Sequence, residues 1–183
     1  MDRASTYIAD RSTVGLTKFV REAGKIRRCH TQTTVGEYTV AEHTFNMLCM
    51  LKLLYPEAPI EVIHYILGHD IPERLTGDIP ATAKWFGIID ERLDTVEDAI
   101  LKECGFYTKM EEEWYLVVKC IDLLELYLWC RDQDLLGNQC MRKMQNRIDL
   151  WFDKLGHRIP AKIQAFLHEL EERGWNYCSE LGD

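Results

Sequence analysis

His69 and Asp70 stand side by side in the string Gly-His-Asp-Ile-Pro-Glu. Neighbours on a regular helix point about 100° apart, so both can face one cation only where the helix bends. Pro72 supplies the reason for a bend, because it lacks an N–H and crowds the preceding turn. His43 upstream and Asp122 far downstream are the further candidates for the same cation. Two imidazoles and two carboxylates suit a borderline to hard divalent ion and leave coordination positions for water and a phosphate oxygen, the arrangement of a hydrolytic site.

The rest of the chain supports such a site on helices. Val14, Leu16, Phe19 and Val20 recur at helical spacing and predict a first helix that Gly24 ends. Thr39 and Glu42 form a capping box for the next, with Phe45, Leu48, Cys49 and Leu51 to Leu54 as its apolar positions before Pro56. Pro59 suits the first turn of a third helix, from Ile60 to about Leu67. Thr76 to Pro80 read as a loop, where Gly77 permits a conformation other residues resist. Further helices are predicted over 91–104, 111–132, 139–155 and 159–173. The expected fold is all-α, a bundle of six or seven helices. At 183 residues it reads as one domain over 1–183, with a motif-bearing core at about 18–132 and C-terminal helices over 139–175 packed on it.

Charge and cysteine usage narrow the partners. A net charge of −8 disfavours a nucleic-acid polymer, which needs a positive face, and no apolar run reaches the ~18 residues of a membrane span. Lys18, Arg21, Lys25, Arg27 and Arg28 nonetheless cluster within eleven residues, either for a small phosphorylated ligand or as the solvent face of the first helix. Seven cysteines occur singly, with no Cys-x-x-Cys pair, which points to reduced thiols; Cys49, Cys120 and Cys130 fall in apolar helical patterns and read as core. Without a signal peptide at the start, the expected location is cytoplasmic.

Each candidate has a plainer role. His43 alone reads as a buried histidine bonded to a neighbour. Asp122 lies in the apolar stretch Val-Val-Lys-Cys-Ile-Asp-Leu-Leu-Glu-Leu and needs a compensating partner, either a cation or Lys119 three residues back. Glu73 reads as an exposed carboxylate paired with Arg74, and Asp78 as a turn residue.

Together, Arg-Cys-His-Thr at 28–31, Ala-Glu-His at 41–43, His-Asp-Ile-Pro-Glu at 69–73, Thr-Gly-Asp-Ile-Pro-Ala-Thr-Ala-Lys at 76–84 and Val-Lys-Cys-Ile-Asp at 118–122 resemble the HD-domain phosphohydrolases. Within that superfamily the match is to the bacterial 5′-deoxynucleotidases and phage dATP triphosphohydrolases. The resemblance implies that His43, His69, Asp70 and Asp122 hold a divalent metal ion (Co²⁺, Mn²⁺, Zn²⁺ or Fe²⁺), that Glu73 handles the attacking water, and that Arg28, Lys84 and Lys119 meet phosphate. It further implies that Asp78 senses the sugar near its 2′ position, and that the protein forms a dimer or larger homo-oligomer. Cys29 replaces the tryptophan common after the arginine, and Thr31 and Thr82 stand where the dATP-specific members pack apolar side chains on the base. The expected activity is cleavage of the 5′ phosphoester of a deoxynucleotide, leaning to triphosphates, with 5′-deoxynucleotidase action on monophosphates as the alternative. A non-catalytic nucleotide sensor would keep the metal ligands without needing Glu73, and a purely structural helical protein would bind no metal.

Overall fold

Thr39 does what its place in the sequence predicts: its hydroxyl accepts from the Glu42 N–H, and a helix opens at Val40. The computed structural model describes residues 6–80, 83 and 91–175. Among them, α-helices run over Thr13–Ala23 (α1), Val40–Leu54 (α2), Ile60–Gly68 (α3), Glu73–Thr76 (α4, a single turn), Glu91–Cys104 (α5), Glu112–Leu135 (α6), Arg142–Leu155 (α7) and Ala161–Arg173 (α8). Short 3₁₀ turns precede and follow α7 at Gln139–Met141 and Gly156–Arg158. The described fold is all-α, as expected. Its extended pairing is an isolated antiparallel bridge, Arg27 with Thr39, where Arg28 N–H donates to Tyr38 O (2.8 Å) and Val40 N–H to Ile26 O (2.9 Å).

The chain gathers into two compact units. The first draws on residues up to Thr31, Glu37–Leu48 and Pro59–Met110. Its core is Ile8, Phe19, Ala23, Ile71, Ile100 and Cys104, with Leu16, Val20, Leu101 and Phe106 packed against it. The Glu103 carboxylate ties down the N-terminal segment, accepting from the N–H groups of Tyr7 (3.0 Å) and Ile8 (2.9 Å) beside Arg11. Burial by itself would raise the Glu103 pKa; those donors and Arg11 bring it below the usual carboxylate value. Gly68 ends α3 where a Cβ would stand 3.0 Å from the Phe106 carbonyl oxygen, so a residue without a side chain lets the two segments meet.

The second unit comprises Gln32–Gly36, Cys49–Ala58 and residues from Glu111 onward. Its α6 is 24 residues, about 36 Å long, and buries Val117, Val118, Cys120, Ile121, Leu124, Leu128, Trp129 and Cys130. Helix α7 turns Gln145, Ile148, Phe152 and Leu155 inward at helical spacing. Gln133, almost fully buried, holds Val35 by both backbone groups: its Oε1 accepts from Val35 N–H (2.8 Å) and its Nε2 donates to Val35 O (2.9 Å).

Some expectations need correction. Cys49 is exposed, not core, whereas Cys120 and Cys130 are fully buried. The buried stripe of α2 is Val40, His43, Met47 and Leu51, a three-to-four-residue spacing that leaves Phe45, Cys49 and Leu53 on the outer face. Pro59 is the N-cap of α3 instead of its first residue, and the helix predicted over 139–155 starts as 3₁₀ before becoming α at Arg142. Gly24 does end α1, but with φ −60°, so it uses none of glycine's extra freedom. Gly77 does use it, at φ +74°.

Candidate metal centre

The bend anticipated at Pro72 is present. His69 still closes an α-helical bond, its N–H donating to Tyr65 O, but Ile71 N–H reaches back only to Gly68 O and Glu73 N–H only to Asp70 O. This tightening from four-residue to three-residue bonds swings Asp70 round toward His69. Helix α2 carries His43 to the same place. One ligand atom from each of His43, His69 and Asp70 lies within 4.8 Å of the others. Asp70 Oδ2 is 3.3 Å from His69 Nε2 and 3.8 Å from His43 Nε2.

The outer nitrogens of both imidazoles are engaged, which orients the rings. His69 Nδ1 lies 2.7 Å from Ile66 O, and His43 Nδ1 lies 3.0 Å from the Tyr38 hydroxyl. Each ring therefore presents Nε2 toward Asp70, the chemistry a divalent cation requires of neutral imidazole. Tyr65 stacks along His69, centroids 6.4 Å apart. Two nitrogen donors beside one carboxylate fit a borderline divalent ion.

Around this cluster lie the charged groups. Arg28 Nη1 forms a short ion pair with Asp70 Oδ2, and the guanidinium carbon sits 5.6 Å from the Tyr38 ring centroid. Asp78 accepts from the Cys29 N–H (2.9 Å) and lies 3.4 Å from His30 Nδ1. Cys29 adopts φ +54°, a left-handed conformation uncommon outside glycine, asparagine and aspartate. Asp78 thus fastens the backbone that follows Arg28, a role the turn-residue reading lacked.

Glu73 has no bond to Arg74. The Arg74 guanidinium instead donates to Glu22 Oε2 through Nε (2.9 Å) and an Nη (2.7 Å). Glu73 is half-buried, with Oε2 shielded from solvent and without a hydrogen bond among the described residues. Burial pushes its pKa up to about 8, helped by the charges of Asp70 and Asp78 and opposed by Arg28 and His43. A carboxyl poised there can hold or release a proton near neutrality.

Asp122 and Lys119 lie on α6 in the second unit, where Lys119 Nζ donates to Asp122 Oδ2 at 2.7 Å, the partner anticipated from their spacing. Thr31 is exposed, and Thr82 and Lys84 lie outside the described residues. Lys18, Arg21, Lys25 and Arg27 are exposed. Tyr38 and Tyr65 escaped sequence reasoning, since a single tyrosine in a loop or on a helix carries no spacing signal.

Comparison with known proteins agrees with this geometry. Residues 24–104 match the family described as HD domain, a span that holds Arg28, His43, His69, Asp70, Glu73 and Asp78. The chain is also similar to a dATP triphosphohydrolase of Acinetobacter phage SH-Ab 15497, with 29% identity covering 70% of this chain and 73% of that protein. The helical bend with its paired histidines and aspartate therefore lies inside the segment that matches the HD domain.

Proposed function

We propose that this protein is a divalent-metal-dependent phosphohydrolase that cleaves the 5′ phosphoester of deoxynucleotides. The observation that carries the reading is the cluster of His43, His69 and Asp70, with the half-buried Glu73 carboxyl beside it. A divalent cation held there supplies Lewis acidity toward a phosphoryl oxygen and the attacking water. Glu73 would accept a proton from the attacking water as the water oxygen bonds to the α-phosphorus and the bond to the 5′ oxygen breaks, and the departing 5′ oxygen would take up that proton. Arg28, already turned inward onto Asp70, balances charge developing on the phosphoryl oxygens. The order of motifs along the sequence assigns a fourth ligand to Asp122. Asp122→Ala is expected to lower metal content, and unchanged content removes it from the set. Asp78, Cys29 and Thr31, with Thr82 and Lys84, are proposed to meet sugar, base and phosphate, and Lys119 a further phosphate oxygen.

The similar phage protein, named for dATP and triphosphate, favours triphosphate release. The exposure of Lys18, Arg21, Lys25 and Arg27 suits the solvent face of the first helix, which removes one reason for the triphosphate lean and favours the second reading, a 5′-deoxynucleotidase. Incubating Mn²⁺- or Co²⁺-loaded protein with deoxynucleoside mono- and triphosphates, with ribonucleotides as controls, separates the two. Inorganic triphosphate among the products identifies the first and phosphate from monophosphates alone the second; no turnover on any substrate overturns both.

A further inference from the structure

His43 and His69 are oriented by partners of different chemistry. The partner of His69 Nδ1 is the Ile66 carbonyl, which can only accept, so that bond requires the ring proton on Nδ1 and leaves the Nε2 lone pair for a cation. The partner of His43 Nδ1 is a phenol, which can donate or accept. Both Tyr38 and His43 are fully buried, so bulk water does not substitute for the phenol. The tyrosine is fixed from three sides. Its carbonyl accepts from Arg28 N–H, its neighbour Thr39 caps α2 through Glu42 N–H, and its ring meets the His43 ring edge-on at 84°.

We propose that Tyr38 is the positioning residue for His43, its hydroxyl accepting from Nδ1–H so that Nε2 is presented bare to a divalent cation. This rests on the metal-dependent reading above. The phenol works through the imidazole and needs no contact with substrate or metal. Because the same ring lies under Arg28, the hydroxyl and the ring face have separable tasks, and Tyr38→Phe removes the first while keeping the second.

The test is calorimetric titration of Mn²⁺ into the chelator-treated full-length protein and its Tyr38→Phe variant, well below either melting temperature. The wild type is expected to bind, and the variant to bind roughly ten- to a hundredfold more weakly, the range found when the outer partner of a metal-bound histidine is lost. A purely structural tyrosine would lower the melting temperature of the metal-free variant and leave the Mn²⁺ dissociation constant unchanged; that result overturns the proposal and leaves the metal-dependent reading intact. A wild type that binds no Mn²⁺, Co²⁺ or Zn²⁺ overturns both. Ring ¹⁵N spectra of the Zn²⁺-loaded wild type give a second readout. The proposal requires the His43 proton on Nδ1, and a proton on Nε2 contradicts it.

Discussion

Among single residues, Glu73 and Arg74 show how neighbours divide their work. Arg74 leaves the site to join Glu22, and Glu73 turns into it with a pKa raised to about 8. Glu73→Ala is expected to abolish turnover while the protein retains its metal; near-normal turnover would remove Glu73 from the mechanism. Glu103 carries a different kind of prediction. Its folded pKa is depressed, so the stability it contributes is present above its unfolded value and is lost as pH falls through the folded one. Acid titration followed by hydrogen exchange at Tyr7 and Ile8 should show the N-terminal segment loosening first, and Glu103→Gln should loosen it already at neutral pH. The gathering of His43, His69 and Asp70 was legible in the sequence because the order of these residues is unusual. Tyr38, and the bonding of Asp78 to the Cys29 backbone, were not, because each depends on a contact between segments and leaves no local pattern.

For the elements, helical spacing located every helix of nine residues or more among those described, because capping residues, prolines and apolar periodicity act over one or two turns. It did not settle which face of α2 is inside. Leucine, phenylalanine and cysteine occupy both faces, and the choice falls to what packs opposite, so Met47 is buried and Phe45 exposed. Pairing between distant segments was equally hidden, as with Gln133 and Val35. That pairing is a side-chain amide doing what a neighbouring strand would do. Gln133→Ala is expected to destabilise by about 1–3 kcal/mol, since it leaves polar groups unsatisfied where water has little access. Faster amide exchange at Val35 than in the parent protein, with α7 unchanged, is the expected signature.

For the whole molecule, the most direct consequence of the proposed centre is linkage between metal and stability. An ion that binds only the folded chain, at a hundred times its dissociation constant, stabilises by about 2.7 kcal/mol. In a chain of this size that corresponds to a rise of roughly 5–10 °C in melting temperature. A scanning calorimetry series with increasing Mn²⁺ should show that rise, and a melting temperature indifferent to metal would count against the centre. Among the described residues no helix is long and apolar enough to cross a membrane. The small clasp between Ile26–Arg28 and Tyr38–Val40 has a consequence for how such a protein changes over generations. It ties off the intervening stretch at its base, with Arg28 on one arm and Tyr38 and the start of α2 on the other. Doubling the length of a flexible loop costs only about 0.6 kcal/mol. Lineages can therefore lengthen or rewrite the stretch after Cys29 and try new ligands there, while the arrangement of the proposed centre at its root is inherited unchanged.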